Sequence, residues 1–175
     1  MTTAAQLIDA FARGLISPIV TPAHLIGLVG FALLMPLQAL RIRVVSCTCL
    51  AIGMAAGLAA IAFAVGATPA RNVVLSVSVV CGILAAVAAD LPRIVVVALA
   101  AVAGVAIGLD SPPETVSLTL GHIMLAGTWL GACMALGILG AAATALHRAW
   151  PIALRVLGSW IAASALLGLT LRLVR

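Results

Sequence analysis

Few side chains in this sequence could do chemistry, and four of them fall where they could converge: His24, Asp110, Glu114 and His122. Two imidazoles and two carboxylates form a donor set for a divalent cation of the nickel, cobalt or zinc kind. His24 follows Pro18 and Pro22 and opens an uninterrupted apolar run, inside the stretch from Gly14 to Gly30. A histidine within a hydrocarbon span is costly without a partner or water, so it is a functional-site candidate by default. Bonding to a backbone carbonyl freed by a broken helix is the alternative role for each histidine. Asp110 and Glu114 flank a Ser-Pro-Pro turn, where an acid also serves as a cap or a water-facing loop residue. Met124, Cys133 and Met134 lie near His122 in sequence and add soft donors.

Other constellations are weaker. Cys47 and Cys49 are i,i+2 neighbours on an expected helix and face different directions, which argues against a thiolate site between them. No Ser/His/Asp order, glycine-rich phosphate loop or pair of acids at catalytic spacing stands out, so an enzyme is not expected, nor a tightly bound cofactor. Axial ligation of a haem by His24 and His122 is a further arrangement that a helical bundle permits.

Composition sets the elements that must position these groups. Of 175 residues, 65% are hydrophobic and 7% charged, with a mean hydropathy of +1.36. Soluble chains carry about a quarter charged residues, so the class is all-α, a polytopic helical membrane protein. A β-barrel would show alternating ten-residue segments and aromatic girdles; here the apolar runs are unbroken and tyrosine is absent. The net charge of +5 comes from arginines, with no lysine, spaced between apolar runs. They serve as anchors and topology signals at the bilayer surface, and nucleic acid is not expected as a partner. The four cysteines lie inside apolar runs, as small buried hydrophobes do.

A helical span needs about 20 apolar residues. Uncharged intervals predict six spans in a single domain, at about 22–40, 44–65, 72–89, 94–109, 115–146 and 152–171. Pro36 is expected to kink the first near its end, and Arg155 to snorkel at the start of the sixth. Before them, Leu7, Ile8, Phe11 and Leu15 recur at helical spacing, with Asp9 and Arg13 as an i,i+4 pair. That pattern predicts a short interfacial helix, and the segment lacks the basic n-region of a secretory signal. Six spans place both termini on one side. Basic residues lean slightly towards the other side, which favours both termini outside. Glycines recur four apart at 53 and 57, 104 and 108, and 127 and 131. Such spacing serves internal helix packing or a face for a homo-oligomer or membrane-protein partner.

Two stretches carry a family likeness. The frame Ser17-Pro18 with Ala23-His24, then an apolar run, resembles the opening of the first span in the HupE/UreJ family of small bacterial membrane proteins. There the pattern is histidine-proline and then aspartate-histidine; here the proline and the final histidine match. That family's second motif is Phe-His-Gly-x-Ala-His-Gly-x-Glu. Residues 102–110 keep its frame in Gly104, Ala106, Gly108 and the terminal acid Asp110, with Ala103 and Ile107 at the histidine positions. Gly121-His122 and Gly127-Thr128 look like the family's fifth span. The resemblance implies a six-span protein of the bacterial inner membrane that passes Ni²⁺ or Co²⁺. His24 and Asp110 would be its retained ligands, and His122 or Glu114 would be recruited beside them. It equally allows an accessory subunit that keeps the scaffold without the metal chemistry.

Overall fold

The computed structural model describes residues 3–62, 70–89, 91–113 and 117–174, all helical or connecting. The expected span ends at Val65 and Thr115, and the site candidate Glu114, fall outside the described residues. The helices are α1 (Ala4–Val20), α2 (Pro22–Leu34), α3 (Leu40–Ala62), α4 (Ala70–Val87), α5 (Arg93–Leu109), α6 (Leu118–Ala149) and α7 (Pro151–Leu173). A 3₁₀ turn, Met35–Leu37, follows α2. Among the described residues, α3, α4, α6 and α7 are long and apolar enough to cross a membrane, and α1 with α2 makes a fifth if the bent pair is one span. At 17 residues, α5 is a shorter apolar helix. The chain is a multi-pass helical membrane protein.

α2 is the axis of the bundle. Nine of its 13 residues are buried, so almost none of its surface is left for lipid. It packs against α1, α4, α6 and α7 and touches α5 near its start. Prolines define both of its ends. Pro22 occupies the first helical position, where its missing N–H costs nothing. Pro18 removes a bond from the last turn of α1, and the two helices meet at Thr21 with a 64° bend. At the far end Pro36 lies in the 3₁₀ turn. The carbonyls released there are recovered by Arg43, which donates from Nε to Gln38 O at 2.7 Å and from Nη2 to Pro36 O at 3.1 Å.

Around this axis the other helices pair through glycine. Gly57 and Gly108 bring α3 and α5 into backbone contact: a Cβ on Gly108 would lie 2.9 Å from Gly57 Cα and 2.5 Å from Met54 O. Gly82 and Gly158 do the same for α4 and α7. Gly14 of α1 meets the Met124 carbonyl, while Gly127 and Gly131 of α6 meet the Phe11 and Leu15 carbonyls. Each of the three four-residue glycine repeats is therefore used in helix packing inside the molecule.

The N-terminal helix departs from the expected lone interfacial helix. α1 runs on to Val20 and lies along α6, burying Ala10, Gly14 and Pro18. Of the larger apolar residues at helical spacing, Ile8 and Phe11 are exposed and Leu7 and Leu15 are half-buried. Without water between helices, small residues set the contact because they let backbones approach, and bulky apolar side chains suit lipid. The Asp9–Arg13 pair is present at 2.9 Å on the exposed side, where such pairs contribute little.

α4 ends on a non-glycine left-handed residue, Ala88, at φ 53°. Ala88 N–H donates to Ala85 O and Ala89 N–H to Leu84 O, the reverse-turn closure in which glycine is usual. Arg155 Nε then donates to Ala86 O at 2.8 Å, so the last turn of α4 is capped from α7. Ala88→Gly is expected to raise stability by about 1 kcal/mol, because the Cβ strain of the left-handed region is relieved. Gly108→Ala should lower the unfolding temperature in detergent. Gly137→Ala, with nothing within 4 Å of the added carbon, should raise stability by about 0.5–1 kcal/mol through helix propensity. Thermal unfolding of the three variants beside the parent checks all three.

Candidate functional site

Three helix ends meet at one face of the bundle. His24 lies in the first turn of α2, Asp110 is the C-cap of α5, and Arg71 is the second residue of α4. His24 Nε2 and Asp110 Oδ2 are 3.1 Å apart. Arg71 Nε donates to the same carboxylate, at 2.9 Å to Oδ2 and 3.1 Å to Oδ1. Side-chain exposure rises from 1% at His24 to 12% at Asp110 and 45% at Arg71, so the triad runs from the interior to the surface.

The electrostatics follow from that placement. Burial opposes ionisation of the Asp110 carboxyl, but hydrogen bonds from His24 and Arg71 and the charge of Arg71 outweigh it. Its pKa is held below the usual carboxylate range. His24 and Arg71 both lie in the first turn of their helices, the end at which a helix favours a nearby negative charge. Sitting at the C-terminus of its own helix, the carboxylate would be less stable without those neighbours.

The histidine is held at one nitrogen. With a carboxylate acceptor at Nε2, the neutral ring carries its proton there and Nδ1 presents a lone pair. Nδ1 is buried and has no hydrogen-bond partner among the described residues. A buried unpaired acceptor is costly. Imidazoles fixed through one nitrogen by a carboxylate are the usual form of a metal-ligating histidine, the other nitrogen being the ligand.

The structure brings two of the four sequence candidates together, His24 and Asp110. His122 does not join them. It is exposed on α6 and lines a groove with Ala55, Leu58 and Ala59 of α3 and with Trp129, which also removes the two-histidine haem arrangement. Among the described residues, no three of His, Cys, Asp or Glu lie close enough to hold a metal ion. Glu114 lies outside the described residues. Met134 points outward, 53% exposed, and Met124 serves α1 packing through its carbonyl. Sequence reasoning treated Arg71 as a surface anchor and missed its contact with Asp110. The available signal was that a six-span layout puts Arg71 and Asp110 on the same face. Comparison of the chain with family models, with curated proteins and with solved structures found no match.

The lowered carboxyl gives a pH prediction. A group whose folded pKa is depressed adds stability above its unfolded pKa, and that stability is lost as pH falls through the folded value. The metal-free protein should therefore lose stability on acidification below about pH 4, the ordinary aspartate range. Asp110→Asn should be less stable at neutral pH and should show a shallower acid limb. Unfolding temperature in detergent against pH, for both proteins, is the measurement.

Proposed function

We propose that this chain is a HupE/UreJ-like permease of the bacterial inner membrane, with six spans of which α1 and α2 together form the first. Its substrate is a divalent cation of the nickel or cobalt kind. The observation that carries the reading is the His24 imidazole, buried, fixed at Nε2 by Asp110 and unpartnered at Nδ1 among the described residues. In this reading Nδ1 is the atom offered to the passing ion. Asp110 orients the ring and supplies negative charge beside it, and Arg71 closes the outer end of the triad while no ion is present. The two stretches that resemble the family's motifs supply His24 and Asp110, and those side chains lie in contact. The glycines and alanine retained in the second stretch also have a reason independent of metal, since Gly104 and Gly108 pack on α3.

One observation favours the second reading, a non-transporting accessory subunit. Arg71 already neutralises Asp110, and a divalent ion would have to displace a tethered cation. Against that reading, the glycine pairs at 53 and 57, 104 and 108, and 127 and 131 are used within the molecule.

Nickel and cobalt accumulation in cells expressing the chain tests the permease. His24→Ala should abolish accumulation, and Asp110→Asn should weaken it by about ten- to a hundredfold, the usual effect of removing a carboxylate that orients a ligating histidine. Accumulation unchanged in His24→Ala would refute the role of Nδ1. Stoichiometric co-purification with an enzyme complex, together with no uptake by the parent chain, would establish the accessory subunit instead.

A further inference from the structure

A second group of donors lies away from the triad, and all of its atoms are sulfur. Met35, in the 3₁₀ turn after α2, is 3% exposed, and its Sδ is 3.7 Å from Cys47 Sγ on α3. Cys133 lies on α6, which packs against α3. Helix register relates the two thiols. Trp129 Nε1 on α6 donates to Ala51 O on α3 at 2.9 Å, and Arg43 near the start of α3 reaches Thr144 near the end of α6. The two helices are therefore antiparallel. One turn back from Ala51 is Cys47, and one turn on from Trp129 is Cys133, so the thiols share a face. Eleven residues separate His24 from Met35 along the α2 segment, about 16 Å at helical rise, and the two sites are distinct.

We propose that Met35, Cys47 and Cys133 form a binding site for a soft monovalent cation of the copper(I) or silver(I) kind. Thiolate and thioether donors select such ions, whereas imidazole and carboxylate suit harder divalent ones. A closed-shell monovalent ion accepts a low coordination number, so three sulfurs from three elements suffice where a nickel-type ion would need more donors. Each thiol that ligates as the thiolate releases its proton, so Cys47 and Cys133 together with one monovalent cation leave a single net negative charge, and the neutral Met35 thioether adds a third donor without adding to it. Cys49 is two residues from Cys47 and turns to another direction on α3, and Cys81 lies on α4 against Gly30. Neither belongs to the set.

The full chain, purified reduced in mild detergent, is titrated with silver(I), following ultraviolet thiolate-to-metal charge transfer and proton release. Copper(I) affinity is then measured by competition with a chromophoric chelator. One equivalent is expected, with Cys47→Ser and Cys133→Ser each weakening binding by about tenfold or more. Met35→Leu should give a smaller loss, while Cys49→Ser binds as the parent does. Alkylation of the unmutated chain gives a readout that needs no variant to fold: silver should protect Cys47 and Cys133 and leave Cys49 reactive. Absence of a charge-transfer band, equal protection of all the cysteines, or unchanged affinity in Cys47→Ser and Cys133→Ser would overturn the site.

Discussion

The carboxylate of Asp110 is the constraint on which one end of this bundle depends. A single negative charge at the margin of an apolar bundle is tolerable only with partners, and two arrive from two other helices. α2 contributes an imidazole, α4 a guanidinium, and both side chains come from the first turn of their helices, the end that favours a nearby negative charge. The ends of α2, α4 and α5 are thereby fixed relative to one another. Removing the carboxylate leaves a buried imidazole with both nitrogens unpaired and an arginine without its anion. Breaking such a set from one side costs more than the set contributes when whole, because the remaining polar groups stay desolvated. The triad is better understood as a device of position than as a source of stability.

Glycine does the corresponding work along the helix lengths. In lipid there is no water to expel between helices, so association depends on close packing. The chain answers with backbone contacts in α3–α5, α4–α7 and α1–α6, each set by glycine facing a carbonyl or Cα. These contacts hold the outer helices at fixed depth around α2, which is why Asp110, at the end of α5, reaches His24 at the start of α2. Irregular backbone at the two proline-marked ends of α2 is tolerated because it is enclosed by protein or capped by Arg43.

Much of this was legible in the residues. Hydropathy alone placed the apolar helices to within a few residues at most ends, since charges and prolines punctuate them. The break before His24 followed from Pro18 and Pro22. That His24 and Asp110 share a face followed from counting spans. What periodicity missed has a common cause. In α1 the reading followed the large apolar residues Ile8 and Phe11 and did not anticipate the packing on α6, which the small ones, Ala10 and Gly14, mark. His122 was counted with His24 because both lie near one face, but depth along a helix says nothing about which way around it a side chain points. The direction of α6 places His122 towards α3. Arg71 was missed for the reverse reason: a surface arginine is usually an anchor, and only the packing of α4 against α5 turns it onto Asp110.

The distribution of donors along the bundle has a consequence of its own. Nitrogen and oxygen gather where α2 begins, and sulfur gathers where it ends. Hard and soft donors placed that far apart cannot act on one ion, so neither set can complete the other's coordination. If the proposed reading holds, a divalent cation at Nδ1 of His24 would draw its remaining donors from water or from backbone carbonyls. That requirement suits an ion in transit better than one held for structure, because an incomplete protein shell lets the ion leave. A monovalent ion among Met35, Cys47 and Cys133 has no such need, since sulfur alone fills its shell. The same helix, opened by a proline at one end and closed by another, thus has nitrogen and oxygen donors gathered at its start and sulfur gathered at its end.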